Sequence, residues 1–285
     1  MFFSNHIYSM NILLYPGIRR PASGIPFFPA TALCILVLAF FAAPPAYSMP
    51  ADTLYIGHFS SAEADTHEGQ ARLPEGWETM SFRGLSETEY RLVEHEGMTV
   101  IRAESESSSS GLIFRQDIDL EEFPVIEWRW KVENILEDGD LREKDGDDYS
   151  ARIYVLFDYD IQNLSWWTRN RIRALRRFYG TVPTRAINYI YANKAEVGTV
   201  AENPYTDLVK MVVVDSGIEN LGTWQHFERN LYEDYVDIFR EAPPKAGGIA
   251  IMTDSDDTGE SARAWFGDIF LRSADDERPE GKNGD

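Results

Sequence analysis

The run Glu-Trp-Arg-Trp-Lys-Val at 127–132 alternates strictly. Trp128, Trp130 and Val132 point one way; Glu127, Arg129 and Lys131 point the other, which is the period of a half-buried strand. A second run repeats the pattern, with Ala151, Ile153, Val155 and Phe157 on one face and Arg152 and Tyr154 on the other. Asp145-Gly146-Asp147-Asp148 lies between them and marks an exposed turn. The expectation is that the two strands share a core face and present one polar outer face. Similar short runs recur at 53–59, 77–82, 90–94, 99–103, 111–118, 185–192, 208–215, 223–230, 248–254 and 262–271, with turn residues between many of them. This pattern predicts an all-β, mainly antiparallel sandwich or barrel, not an α/β fold. Helical spacing appears at 164–179 and 231–240, predicting two short helices that cover the sandwich.

The beginning and end of the chain differ from its body. Arg19 and Arg20 precede an apolar run over 25–43, and Ala46-Tyr47-Ser48 offers small residues to a signal peptidase. Residues 1–48 are expected to be a cleaved secretory signal peptide, giving a periplasmic or secreted protein. An uncleaved anchor is the competing reading, but prolines leave about 14 uninterrupted apolar residues where a span needs about 20. Residues 49–272 then form a single β-sandwich domain, and the polar residues 273–285 a disordered tail. The formal net charge is −20 over 285 residues, and removing 1–48 takes away Arg19, Arg20 and no acid, leaving −22. Such a body repels nucleic acid, so that partner is excluded. Cys34 is the only cysteine and lies in the signal segment, so the mature chain has no thiolate nucleophile and no cysteine metal ligand.

Familiar catalytic signatures are missing: there is no Gly-x-Ser-x-Gly, no His-Glu-x-x-His and no phosphate-binding glycine loop. His58, His67, His95 and His226 are scattered. Asp254 and Asp256 alternate, and with Asp257 and the following Gly259 they resemble the first half of a Ca²⁺ loop. The register of a helix-loop-helix site then fails at Trp265, so the readings are a sandwich-type Ca²⁺ site or a solvated turn. Asp145, Asp147 and Asp148 form a similar cluster. Glu127, Asp148, Glu228 and Asp254 are conceivable members of a glycosidase carboxylate pair. Tyr154, Tyr189 or Tyr191 with Arg152 or Lys194 could instead serve a sugar lyase. Arg169, Arg171, Arg173, Arg176 and Arg177 make the 164–179 helix basic. That helix either pairs with the protein's own acids or contacts an anionic surface or protein.

Four segments together resemble one family. They are Trp128-Arg129-Trp130-Lys131-Val132; Lys144-x-Gly146-Asp147-Asp148-Tyr149-x-x-Arg152-x-Tyr154-Val155-x-Phe157; Asn188-Tyr189-x-Tyr191-Ala192-Asn193-Lys194; and Met252-Thr253-Asp254-Ser255-Asp256-Asp257-Thr258-Gly259. They resemble the exported bacterial proteins of domain of unknown function 3047, over nearly the whole mature chain. The resemblance implies export and brings no activity with it. The ending Ala264-Trp265-Phe266-Gly267-Asp268 also resembles the last strand of galactose-binding-like jelly rolls, implying a jelly-roll-like β-sandwich. The leading functional expectation is non-catalytic binding of a glycan or envelope component. Arg129, Lys131 and Arg152 would donate hydrogen bonds, Asp147 and Asp148 accept them, Tyr154 and Tyr191 stack, and Asn188 orient. The competing expectations are a polysaccharide-active hydrolase or lyase, and an envelope scaffold with no small ligand.

Overall fold

The computed structural model describes residues 53–65, 71–158 and 185–274. The expected signal peptide, His67, the basic 164–179 helix and nearly all of the tail lie outside the described residues. The strands are β1 (Thr53–Gly57), β2 (Trp77–Ser81), β3 (Glu89–His95), β4 (Met98–Glu106), β5 (Ser109–Phe114), β6 (Val125–Val132), β7 (Arg152–Phe157), β8 (Arg185–Ala192), β9 (Val200–Asn203), β10 (Thr206–Ser216), β11 (Gln225–Asn230), β12 (Ala246–Asp254) and β13 (Ser261–Arg272). They form two sheets. One has the order β11-β6-β13-β4-β3, with β1 also pairing with β13; the other runs β2-β5-β12-β7-β8-β10-β9. All pairings are antiparallel except β8 with β10, which is parallel.

The inner faces of both sheets supply one core. Trp128, Trp130, Ile101 and Phe266 come from the six-stranded sheet, and Ile153, Val155, Tyr189 and Ile251 from the seven-stranded sheet. Trp128 meets Tyr189 across the interface at a ring-centroid distance of 5.3 Å. This is a β-sandwich, as the alternation predicts. The strand pair that opened the sequence argument is divided, however. β6 belongs to one sheet and β7 to the other. They share a core from opposite sides, so their polar faces look away from each other.

Between β11 and β12, α1 (Leu231–Phe239) packs against the core through buried Leu231 and Tyr235. Asn230 caps it by accepting the Glu233 N–H at 3.1 Å, and Glu233 and Asp234 sit in the first turn, where the helix dipole favours acids. Tyr235 packs edge-on to Phe157 at 4.6 Å, and the Tyr189 hydroxyl donates to Asp234 at 2.6 Å. The seven-stranded sheet also carries a small apolar cluster on its outer face. Ile190, Ala192, Met211 and Val213 lie there, covered by Leu141 and Tyr149 of the β6–β7 connection. That cover explains why β8 is buried on both faces. No helix among the described residues is long and apolar enough to cross a membrane.

Candidate functional site

Three of the four resembling segments converge at one end of the seven-stranded sheet. β12 lies beside β7, with Met252 opposite Arg152, so Asp254 emerges next to the start of β7. Tyr149 fixes the approach: its N–H donates to Asp254 Oδ1 at 3.2 Å, and its carbonyl accepts the Asp254 N–H at 3.2 Å. Immediately after β8, Asn193 ties down the loop between β6 and β7. Its amide accepts from the Leu136 N–H at 3.0 Å and donates to the Asp148 carbonyl at 3.3 Å. Gly139 allows this, because a Cβ there would collide with the Asn193 amide.

The result is a buried acidic centre around one cation. Arg152 is 3% exposed and is ion-paired with Asp254, with Asp147 Oδ1 at 3.8 Å. Its guanidinium also donates to the Asp147 carbonyl at 3.2 Å and lies over the Tyr149 ring at 4.9 Å and the Tyr154 ring at 5.7 Å. Asp148 accepts the Thr258 N–H at 2.6 Å through Oδ2. Asp147 accepts from Asn203 at 2.6 Å, and Asp257 from the Tyr205 hydroxyl at 2.9 and 3.0 Å. Hydrogen bonding nevertheless falls short. Asp147 Oδ1, Asp148 Oδ1, Arg152 Nε and Nη1, and both amide atoms of Asn188 are enclosed without a hydrogen-bond partner among the described residues. Burial raises the carboxyls of Asp147 and Asp256 above their usual range, and pushes Asp257 up to about 6. Arg152 stays charged: burial opposes its charge, but the surrounding phenols and acids outweigh that and raise its pKa.

The outer face of the six-stranded sheet holds a second constellation. Arg129 and Lys131 of β6 point outward there, as their parity predicts. Lys131 donates to Glu96 at 2.6 Å and lies 5.6 Å from the Trp265 ring centroid. Glu96 also accepts from the Trp224 indole at 2.8 Å, so one carboxylate gathers both side chains. Its pKa is lowered, chiefly by the Lys131 hydrogen bond. Trp265 stacks on His95 at 4.6 Å and 14°. Arg129 lies over Trp224 at 5.3 Å and crosses Gly267, where a Cβ would strike it; it makes no ion pair among the described residues. Trp224, Trp265, His95, Arg129 and Lys131 are all partly exposed.

The eight residues expected to bind a ligand therefore do not form one platform. Arg129 and Lys131 lie on one outer face. Asp147, Asp148, Arg152, Tyr154 and Asn188 belong to the other side, where Arg152 is locked beneath the surface with the acids instead of facing a ligand. Tyr191 is 1% exposed in the core, and its hydroxyl donates to the Gly217 carbonyl at 2.8 Å. Parity signalled this: Asn188 and Tyr191 are three residues apart on one strand, so they face opposite ways. The expected metal set is also rearranged. Carboxylate oxygens of Asp148, Asp254 and Asp256 lie within 4.8 Å of one another, while Asp257 turns to Tyr205. Glu127 and Glu228 meet around Arg272, at 2.7 and 3.0 Å, away from Asp148 and Asp254. Trp224, Trp265 and His95 were missed as a group. Trp265 alternates with Ala264 and Phe266 and was legible as outward, but no local pattern brings the other two beside it.

Fold and sites define a two-sheet β-sandwich with an aromatic, partly basic patch on one face and a buried acidic centre on the other. The chain belongs to the family described as protein of unknown function (DUF3047), whose profile matches residues 75–270. No curated protein sequence matches it. Similar solved structures include two cleaved adhesin domains of Lys-gingipain, the first from Porphyromonas gingivalis. The first has 10% identity and a TM-score of 0.34, covering 78% of this chain and 98% of that one. The second has 12% identity and a TM-score of 0.34, covering 78% and 97%. A cellulose-induced protein, Cip1, has 10% identity and a TM-score of 0.28, covering 68% and 90%.

Proposed function

We propose that this protein is an exported, non-catalytic glycan-binding β-sandwich, and that the glycan lies on the outer face of the six-stranded sheet. The observation that carries the reading is Arg129 over Trp224 beside the Trp265–His95 stack. Indole faces offer the flat apolar surface that the C–H face of a sugar ring can cover. The Arg129 guanidinium, stacked and without an ion pair among the described residues, keeps its planar fork of donors for hydroxyls or a carboxylate. Glu96 holds Lys131 and Trp224 in place before any ligand arrives. That preorganisation lowers the entropy cost of binding. An envelope or environmental polysaccharide is the partner that fits an exported protein.

A screen of the purified chain against neutral and acidic polysaccharides tests this. Binding is expected, and it should be lost in the Trp224→Ala/Trp265→Ala double variant. A blank across the screen, or a double variant that binds like the parent, overturns the reading. Capture of a protein in place of a glycan by the same patch would favour a scaffold role, since tryptophan and arginine are also enriched at protein interfaces.

A further inference from the structure

We propose that Asp148, Asp254 and Asp256 bind a divalent cation of the Ca²⁺ class, independently of any glycan. The geometry has the right scale. Two oxygens that each lie about 2.3–2.6 Å from one Ca²⁺ can be at most about 5 Å apart. One carboxylate oxygen from each of these three residues lies within 4.8 Å of the others. Asp148 supplies a separate sign. Its side chain is fully buried, Oδ2 is taken by the Thr258 N–H, and Oδ1 has no hydrogen-bond partner among the described residues. An enclosed carboxylate oxygen with nothing to accept from is costly, and a cation is the partner an anionic oxygen most strongly prefers.

Charge supports the same conclusion. Asp147, Asp148, Asp254, Asp256 and Asp257 share the neighbourhood of Arg152. Among the described residues, the Arg152 guanidinium and the exposed Lys144 ammonium over the Tyr205 ring face five carboxyls, which leaves an excess of negative charge. Access comes through Asp256, which is only partly buried. The donors are all hard oxygens: Asp148 comes from the loop preceding β7, Asp254 from the last position of β12, and Asp256 from the loop that follows it. Ca²⁺ accepts such irregular sets, whereas Mg²⁺ demands near-octahedral geometry and keeps its waters. The bound cation would clamp the two loops together and supply the missing partner of Asp148.

The test uses the full chain after treatment with chelator. Terbium is added as a luminescent stand-in for Ca²⁺, with tyrosine excitation; Tyr149 is bonded to Asp254 through its backbone. Saturable emission, displaced by Ca²⁺ but much less by Mg²⁺, is expected. Thermal unfolding should move upward in about 1 mM Ca²⁺, the range in which extracellular sites fill. Asp256→Asn, at a partly exposed position, should weaken binding roughly ten-fold or more. Asp145→Asn, at an exposed position outside the set, should leave it unchanged. Absence of saturable emission together with the same unfolding temperature in Ca²⁺ and chelator overturns the proposal. So does an Asp256→Asn variant that binds as the parent does.

Discussion

On the six-stranded sheet, Lys131, Trp224 and His95 gather about one half-exposed carboxylate, Glu96, and water reaches all of them. On the seven-stranded sheet, Arg152 sits 3% exposed among acids that outnumber it, and several polar atoms around it have no hydrogen-bond partner among the described residues. The first arrangement lowers the pKa of its carboxylate; the second raises those of Asp147, Asp256 and Asp257. Solvent makes the difference. Beside water, an ion pair is cheap to form and worth little. Under a covered face, each charge has lost its hydration, so an incomplete set of partners is costly. The patch can therefore lose a member at a modest cost to the fold, while removing the buried cation from the acidic centre is far more costly.

The largest effect should come from removing the buried cation. Arg152→Met would leave Asp147 and Asp254 without their counter-charge and is expected to cost about 3–5 kcal/mol. Urea unfolding in chelator measures this. A loss below about 1 kcal/mol would mean that the centre does not depend on Arg152, and the contrast between the two faces would collapse. Next in size is Trp265→Ala. Truncating this partly exposed ring should cost about 1–2 kcal/mol of stability, while abolishing measurable glycan binding. A stability loss as large as that of Arg152→Met would place Trp265 with the core and not with the patch.

The pH response should separate the faces by sign. Burial pushes the Asp257 carboxyl up from its ordinary 3.8 to about 6. A raised carboxyl contributes stability that is fully present below its unfolded pKa and lost as pH rises through its folded pKa. Acidification from pH 7 towards 5 in chelator should therefore stabilise the protein, by about 1 kcal/mol once solvent screening is allowed for. Glu96 acts oppositely: its folded pKa lies below the ordinary 4.5, so its contribution holds above 4.5 and is lost as pH falls through the folded value. Urea midpoints at several pH values should rise towards pH 5 and then fall. Asp257→Asn should flatten the rise, and Glu96→Gln should soften the fall. A rise that persists unchanged in Asp257→Asn would assign it to another group.

Much of this architecture was legible in the chain. Period-two alternation points to twelve of the thirteen strands among the described residues, and α1 follows from its spacing. β9, at Val200–Asn203, escaped because a four-residue edge strand with no buried residue leaves no apolar stripe to read. The sites were harder for a physical reason. Alternation says which side chains share a face of a strand, but not which sheet the strand joins. Thus Arg129 and Arg152, both outward, end on opposite sides of the molecule. β8 posed a different problem: both of its faces are apolar, because the β6–β7 connection covers the outer one. Tyr191 and Asn188 therefore looked equally eligible for the surface. The acidic centre needs β7 beside β12, a pairing across about a hundred residues that no local pattern encodes.

The smallest change sharpens the comparison most finely. Arg129→Lys keeps the positive charge on the patch but replaces a planar fork with a compact ammonium. Arg129 makes no ion pair among the described residues, and its guanidinium lies over Trp224 at the surface. Stability should therefore move by less than about 0.5 kcal/mol. Glycan affinity should fall several-fold, because the stacked, bidentate geometry is lost while the charge remains. Urea unfolding measures the first quantity, and isothermal titration with whichever polysaccharide the screen identifies measures the second. Equal affinity in Arg129→Lys would reduce the role of Arg129 to charge alone. Equal affinity in Arg129→Ala as well would leave the tryptophans as the whole of the patch.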